Sequence, residues 1–522
     1  MKQKVLVIGL DGGEPSLIFK WAKEGKLPNI AKLMKSGVYG KLRSTIPPLT
    51  APAWVSFMTG KNPGKHGIIH FLMPEERSYE RRLMSLKDIK GETLWDLLNK
   101  RNRRIGLVNL PLTYPPKEIN GFMVSGYTTP GEECKFTYPP ELKKKLLDKF
   151  NYRIETDRKF SQMHWKEKGK EFIEDEYEVT KTQFEASLYL MKNYEWDIFM
   201  VVFRGPDELQ HSFWSEKEVI EEYHRYVDEI VGELVNASGK ETTIIIMSDH
   251  GFGGLDKDLY LNNWLMRKGL LKLKKSKRDI RYLLRKCGLT KGIIRKILRK
   301  TRLLKAVKSK IPNNLKRKIP ERELQQDLDI DWSKTKAFSF TGGQLYINLK
   351  GRQPKGTVKE RKYKRLRECI IKELSQLKDP ETGEKVIEKV YKREEIYPDA
   401  HQNNLPDLVV LVKEGYRAVV FGPEFQIIGK TNRTGDHRLD GIFIASGPEI
   451  KKNEIISNAE IIDIAPTILY MFGIPIPRDM DGRVLKEIFK EDSELAKKKI
   501  IYDSESERIR EKIKKLRLMR RI

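Results

Sequence analysis

Residues 242–251 read TTIIIMSDHG, six β-branched or apolar residues followed by Ser248, Asp249, His250 and Gly251. A short apolar run without polar alternation is typical of a strand that helices cover on both faces. The polar residues come where this strand ends, at the edge where open α/β sheets bind their ligands. The stretch therefore predicts a buried strand that delivers a carboxylate and an imidazole to a ligand site.

Two further strands are predicted to end in the same way. Residues 4–10 run directly into Asp11, and residues 197–203 are followed by Asp207 and His211. Helical patterns separate the strands, at residues 17–36, 94–100, 170–193 and 216–237. Strands that alternate with helices predict an α/β fold with a mostly parallel sheet.

The carboxylates that follow these strands suggest a metal site. Parallel strands would bring Asp11, Asp207 and Asp249 to one edge, where clustered unpaired carboxylates cost free energy unless a cation joins them. Asp207 and His211 are four residues apart, so one helical turn places both on one face. His437 lies in a polar turn before an apolar run at 441–447, which we interpret as a further strand.

A candidate nucleophile lies in residues 46–60, IPPLTAPAWVSFMTG. Pro52 suits the first turn of a helix, so we expect Thr50 or Ala51 at the cap position. A helix N-terminus favours negative charge, so it would hold a phosphate or lower the pKa of a hydroxyl. Metal coordination would activate the same hydroxyl oxygen.

These motifs together resemble one known family, the type I phosphodiesterase/nucleotide pyrophosphatase family of the alkaline phosphatase superfamily. The segments that carry the resemblance occur in the family's order, and they are Asp11-Gly12, Thr50-Ala51-Pro52 with Thr59-Gly60 and 63–67, Asp207 with His211, Ser248 to Gly251, and Gly435-Asp436-His437. The resemblance implies an alkaline-phosphatase-like three-layer sandwich around a mixed, mostly parallel sheet. It also implies a metal-dependent phosphohydrolase that acts on a small-molecule phosphate ester.

The resemblance further implies two divalent metal ions, zinc being usual and manganese possible for such ligands. Carried over by position, one ion would bind Asp11, Thr50, Asp249 and His250, and the other would bind Asp207, His211 and His437. Thr50 would attack phosphorus and form a covalent phospho-threonine, which water would then hydrolyse. Diester, monoester, phosphonate and pyrophosphate substrates all fit this chemistry.

The chain departs from the family's pattern in two respects. Nucleotide pyrophosphatases commonly carry an Asn after the nucleophile that helps to bind a phosphate oxygen, but residues 51–54 read APAW, so another donor must replace it. The family's extracellular enzymes carry a secretion signal and disulfides, whereas this chain has three scattered cysteines and no signal-type apolar core at its start. We therefore expect a cytoplasmic location.

The positive charge is concentrated in one segment. Of a net charge of +28, residues 266–322 contribute 23 Lys and Arg against two acidic residues, with apolar residues at helical spacing. We interpret the segment as a basic helical insertion that is a surface lid, a contact to an anionic membrane surface, or a polyanion site. Nucleic acid is disfavoured because Tyr282 is the only aromatic residue in the basic run.

The predicted domain organisation follows from these features. Residues 1–265 and 323–485 would form the catalytic domain, with 131–185 as a helical cap, and residues 486–522 would form a charged C-terminal helix or tail. We expect helices at 461–472 and 481–489 and a further strand at 398–412. Two alternatives to a hydrolase stay open, a phosphotransferase that passes the group to a lipid head group or sugar, and a non-catalytic polyanion-binding protein. The oligomeric state also stays open.

Overall fold

The computed structural model describes residues 3–161, 169–274, 330–400, 404–423, 426–431 and 433–504. Its strands are β1 Lys4–Leu10, β2 Gly37–Arg43, β3 Leu72–Pro74, β4 Arg81–Leu83, β5 Ile105–Val108, β6 Gly121–Val124, β7 Thr137–Tyr138, β8 Ile198–Phe203, β9 Thr242–Met247, β10 Gly251–Tyr260, β11 Ala337–Thr341, β12 Gln344–Ile347, β13 Ile387–Lys392, β14 Leu408–Val412, β15 Gly415–Val419, β16 Ile428–Lys430, β17 Gly435–Arg438, β18 Asp440–Ser446 and β19 Glu454–Glu460.

The α-helices are α1 Pro15–Lys23, α2 Pro28–Ser36, α3 Thr50–Thr59, α4 Pro63–His66, α5 Leu94–Lys100, α6 Leu142–Phe150, α7 Arg158–Ser161, α8 Gly169–Asn193, α9 Gly205–Phe213, α10 Lys217–Ser238, α11 Leu261–Arg267, α12 Glu360–Ser375, α13 Arg393–Ile396, α14 Ile464–Met471 and α15 Glu494–Lys497. Short 3₁₀ turns lie at Leu86–Asp88, Ile461–Asp463 and Lys486–Ile488.

A nine-stranded sheet forms the centre of the fold, in the order β19-β2-β18-β9-β1-β8-β5-β6-β7. Strand β1 pairs in parallel with both β8 and β9, so the three strands that precede the acidic residues are direct neighbours. Strands β18 and β7 run antiparallel to their neighbours. The predicted α/β fold with a mixed, mostly parallel sheet is therefore confirmed.

Helices cover both faces of this sheet and produce the three layers. Along β1, Val5 and Val7 face one core with α3, α5 and α14, whereas Leu6 and Ile8 face the other core with α1, α2, α8 and α10. All four side chains are buried, which explains why the strand shows no polar alternation in the sequence.

Two predictions of helix extent are wrong. Residues 17–36 form two helices, because Gly25 takes a φ of +77° after α1 and Pro28 begins α2. Residues 481–489 form only a 3₁₀ turn near their end. There, a Cβ on Gly482 would lie 1.9 Å from the Ile462 carbonyl oxygen, and the Arg483 N–H donates to Asp463 rather than to a helix carbonyl.

A smaller lobe extends from the carboxyl edge of the main sheet. Strand β10 begins at Gly251, directly after Asp249 and His250, and pairs with β15, β16 and β17. A separate sheet, β11-β12-β14-β13, carries α12 and encloses a third apolar core. Strand β17 pairs with β10, and His437 lies opposite Phe252. The chain therefore comes back from the smaller lobe to the edge of the main sheet.

The predicted domain divisions stay predictions. Residues 275–322 of the basic segment and residues 505–522 of the tail lie outside the described residues. Within 131–185, buried Leu142, Tyr152 and Phe172 pack into the core on one face of the main sheet. Among the described residues, no helix is long and apolar enough to span a bilayer.

One buried histidine predicts how stability depends on pH. His224 on α10 is 3% exposed and donates from Nδ1 to the Ile220 carbonyl oxygen at 2.8 Å, and burial lowers its pKa to about 4. The unfolded chain therefore binds a proton between pH 6.5 and 4 that the folded chain does not. Stability should fall as the pH drops through that window, by about 2–3 kcal/mol between pH 7.5 and 4.5 from this residue alone.

We expect His224→Phe to lose less stability than the wild type over the same interval, measured by urea unfolding at both pH values. His66, with a pKa lowered to about 3 by burial, keeps its own contribution of the same sign in both proteins. An equal loss in the variant and the wild type would contradict the assignment to His224.

Candidate active site

Five chain elements deliver the predicted site residues to the carboxyl edge of the main sheet. Asp11 follows β1, and Asp249 and His250 follow β9, the two strands being direct neighbours. The other residues come from α3, α9 and β17, and they are Thr50, Asp207, His211 and His437. The structure thus brings all seven predicted residues together.

The first ligand group consists of Asp11, Asp249 and His250, all fully buried, whose ligand atoms lie within 4.8 Å of one another. Nε2 of His250 lies 3.3 Å from Asp249 Oδ2 and 3.6 Å from Asp11 Oδ1. The other Asp249 oxygen accepts a hydrogen bond from the backbone N–H of Gly12 at 3.2 Å. This contact fixes the carboxylate and leaves Oδ2 directed at the group.

The second ligand group consists of Asp207, His211 and His437, again within 4.8 Å of one another. Oδ1 of Asp207 lies 3.5 Å from His211 Nε2 and 3.2 Å from His437 Nε2. The two groups adjoin, because the His250 and His437 rings stack with their centroids 3.7 Å apart. Apart from Thr50, these are the two sets that the family resemblance implies.

All three imidazoles are oriented by backbone carbonyls. His250 Nδ1 lies 3.0 Å from the Gly251 oxygen, His211 Nδ1 lies 3.1 Å from the Gly435 oxygen, and His437 Nδ1 lies 3.0 Å from the Pro48 oxygen. When each Nδ1–H donates to its carbonyl, each Nε2 carries a lone pair toward the carboxylates. This outer contact is typical of histidines that bind metals, since it sets both tautomer and ring direction.

The electrostatics of the two groups fit divalent cations. Oδ1 of Asp11 and Oδ2 of Asp249 are buried and accept no hydrogen bond from a described residue. Burial raises the pKa of Asp11, and the charges of Asp249 and Asp207 raise it further. Nε2 of His211 and Nε2 of His437, both acceptors in these tautomers, lie only 3.0 Å apart. Carboxylate and imidazole lone pairs this close are stabilised by a shared cation.

Thr50 is the first residue of α3, and it is 5% exposed. Leu49 holds the cap position, one residue earlier than the sequence predicts, and offers no side-chain acceptor to the helix start. The Thr50 Oγ1 lies 3.3 Å from Nε2 of His250. The hydroxyl thus sits between the positive end of a helix dipole and the first ligand group.

Sequence reasoning missed three residues that shape the site. Trp54, one turn after Thr50, donates its indole N–H to Asp11 Oδ2 at 3.2 Å, and helical spacing was the signal that could have found it. Arg204 lies between β8 and α9, with its guanidinium 3.8 Å from the Tyr127 ring centroid and its Nε 3.8 Å from Asp11 Oδ2. Arg433 contacts His211 from a segment that has no local signal.

Thr50 and the second ligand group, Asp207, His211 and His437, line a cleft of about 1560 Å³. Residues 410–418 of the smaller lobe also line it, whereas Asp11, Asp249 and His250 lie buried beneath the surface. The volume of the cleft exceeds the roughly 300–1,000 Å³ of pockets for drug-sized ligands. The cleft can therefore admit a phosphate ester that carries a sizeable organic group.

Comparison with known proteins agrees with this geometry. The model of the type I phosphodiesterase/nucleotide pyrophosphatase family matches residues 5–421. Among solved structures, the chain is similar to murine ectonucleotide pyrophosphatase/phosphodiesterase 5, with a TM-score of 0.51 and 12% identity over 94% of this chain and 100% of that chain, a likeness that concerns the fold. In sequence, no curated protein matched the chain. The family match covers most of the chain, which therefore belongs to the type I phosphodiesterase/nucleotide pyrophosphatase family and is a phosphoric ester hydrolase.

Proposed function

We propose that this protein is a metal-dependent phosphodiesterase that uses Thr50 as its nucleophile and passes through a covalent phospho-threonine. The observation that carries the proposal is the position of Thr50 Oγ1, at the first residue of α3 and 3.3 Å from His250, beside two groups of metal-type ligands. Membership of the family supports the reaction class.

The residues of the two groups would each hold one divalent ion, zinc or manganese. The first ion would take Asp11, Thr50, Asp249 and His250, and the second would take Asp207, His211 and His437. When bound, two such ions stabilise the charge on the attacking, leaving and non-bridging oxygens of a phosphoryl transfer.

The chain's own residues supply positioning and the nucleophile. The start of α3 favours negative charge on Thr50 Oγ1, and Trp54 holds Asp11 through its indole N–H. In the first step, Oγ1 bonds to phosphorus while the bond from phosphorus to the leaving alcohol breaks, and the alcohol takes up a proton. In the second step, water bonds to the same phosphorus, the Thr50 ester bond breaks, and the hydroxyl is restored.

Trapping the covalent species tests the proposal. The protein, supplied with zinc or manganese, would be mixed with bis-p-nitrophenyl phosphate, quenched in acid within the first turnover and examined by peptide mass spectrometry. We expect the mass of one p-nitrophenylphosphoryl group on the peptide that contains Thr50, because only one of the two p-nitrophenol groups leaves in the first step. One equivalent of p-nitrophenol should be released in a burst when water attack is the slow step.

A label on any other residue would overturn the choice of nucleophile. Hydrolysis without a label even in a rapid quench would favour direct attack by water. A labelled Thr50 that releases product only after a sugar or glycerol is added would instead support the phosphotransferase alternative.

A further inference from the structure

Arg433 covers one of the candidate metal ligands. Its Nη1 lies 3.1 Å from Nδ1 and 3.2 Å from Nε2 of His211. Nearly equal distances to both ring nitrogens place the guanidinium over the face of the ring, since an approach in the ring plane would collide with the carbon between them. The in-plane lone pair of His211 Nε2 therefore stays available to the second ligand group.

The charges of Asp436, Glu208 and Asp207 act on Arg433, but none of these carboxylates lies close enough to form an ion pair with it. Among the described residues Arg433 forms no ion pair, and its Nε and Nη2 make no hydrogen bond, whereas the other arginines of the cleft are committed. Arg204 donates to Glu208 at 2.6 Å, Arg417 forms a two-pronged pair with Asp258 at 2.9 and 3.1 Å, and Arg438 donates to the His437 and Gly254 carbonyls. Arg433 thus presents unused donors at the second ligand group.

The position of Arg433 suits an anionic oxygen of the substrate. It lines a neighbouring pocket of about 510 Å³ and also the large cleft, the same space that Asp207, His211 and His437 line. A planar guanidinium binds phosphate oxygens through two parallel N–H bonds.

The number of charges on the substrate decides what such a cation favours. A phosphodiester carries one negative charge at phosphorus, whereas a monoester carries two near pH 8. A fixed positive charge beside the phosphoryl group stabilises the dianion more than the monoanion. Arg433 would therefore favour the substrate that has an additional unesterified oxygen.

We propose that Arg433 is a specificity-determining residue that gives this site a second activity, the hydrolysis of phosphate monoesters, by binding the additional oxygen. The inference rests on the proposed function, since it uses the same nucleophile and ligand groups. The bond from phosphorus to the leaving alcohol breaks as Thr50 Oγ1 bonds to phosphorus, and the alcohol takes a proton. Water then breaks the Thr50–phosphorus bond and releases inorganic phosphate.

The test compares Arg433→Gln, Arg433→Lys and the wild type on p-nitrophenyl phosphate and bis-p-nitrophenyl phosphate at pH 8 with saturating zinc or manganese. We expect the ratio of kcat/KM for the monoester to that for the diester to fall about 10- to 100-fold in Arg433→Gln, the effect of one hydrogen bond to a charged group. Arg433→Lys keeps the charge but not the two parallel donors of the guanidinium, so its ratio should lie between those of Arg433→Gln and the wild type.

A matched control separates this contact from a general loss of positive charge. Lys41 also lines the cleft, but its ammonium is paired with Asp440 at 3.1 Å, so Lys41→Gln should leave the ratio within about threefold. Calorimetric titration of each metal-loaded protein with inorganic phosphate gives a readout that needs no turnover, and Arg433→Gln should bind phosphate about 10- to 100-fold more weakly. Metal content, measured on each variant, must match that of the wild type.

Parallel losses on both substrates, or unchanged phosphate affinity in Arg433→Gln, would overturn the proposal. Loss of the second metal in Arg433→Gln would overturn it too, because Arg433 would then serve only to hold His211. Failure of the proposed function is a separate outcome. If Thr50 carries no label, the nucleophile assignment falls, while the phosphate titration still decides the role of Arg433.

Discussion

Replacing Thr50 with Ala is expected to lower kcat on bis-p-nitrophenyl phosphate by about 10³-fold or more. The variant loses the only oxygen that α3 presents to the first ligand group, while Asp11, Asp249 and His250 keep their backbone and indole contacts. Thr50→Ser retains a hydroxyl at the same position and should keep measurable activity. Steady-state kinetics with matched metal loading, checked by elemental analysis, provide the measurement.

Thr59→Ala is the matched control for this substitution. Thr59 is the last residue of the same helix, is fully buried, and donates its hydroxyl to the Val55 carbonyl oxygen at 2.7 Å. Its removal costs a helix contact but touches no ligand group, so activity should stay near that of the wild type. Comparable losses in Thr50→Ala and Thr59→Ala would point to damage to α3 and refute a chemical role for Thr50.

Asp249→Asn should have opposite effects on activity and on the stability of the metal-free protein. The charge of Asp249 helps to raise the pKa of Asp11 in a fully buried cluster. In the metal-free protein no cation offsets the repulsion between these two carboxylates, so removing the charge of Asp249 should stabilise the fold. The Asn oxygen can still accept the Gly12 N–H. We expect metal-free Asp249→Asn to be roughly 1–3 kcal/mol more stable than the metal-free wild type in urea unfolding.

With metal, the order should reverse. Asp249→Asn lacks one anionic ligand, so metal analysis should show weaker binding at the first ligand group, and activity should fall by more than the roughly 10- to 100-fold that loss of an outer contact causes. Asp228→Asn is the contrasting control, because that buried carboxylate lies outside the two ligand groups and accepts backbone N–H groups from Asn29 and Ile30. It should destabilise the protein with or without metal. A metal-free Asp249→Asn that is less stable than the wild type would contradict the electrostatic argument.

The strands and their acidic ends could be predicted from the sequence because both signals are local. The apolar runs of β1, β8 and β9 are short and bounded by turn residues, and parallel neighbours necessarily end at one edge. Asp207 and His211 share a face because a helical turn spans four residues. The family resemblance added what local patterns do not contain, the partition of seven residues into two groups.

Helix ends were harder to predict. Leu49 holds the cap position before Thr50, and Gly25 divides one predicted helix into two. The chain at Gly482 stays non-helical because it packs against the Ile462 carbonyl and because Asp463 accepts the Arg483 N–H. These outcomes depend on contacts between segments distant from the local pattern, which periodicity does not record.

The buried strands, the order of the acidic and histidine residues along the chain, and a hydroxyl at a helix start are all apparent in the amino-acid sequence. How these residues meet depends on contacts between distant segments. The register of β10 on β17 places His437 opposite Phe252, and the Pro48 carbonyl fixes the direction of its ring. Arg433 reaches the face of His211 across 222 residues of chain. Local chemistry specifies which side chains are present, but long-range pairing sets the distances between them. Those distances decide whether each group can hold an ion and whether both groups can act on one substrate.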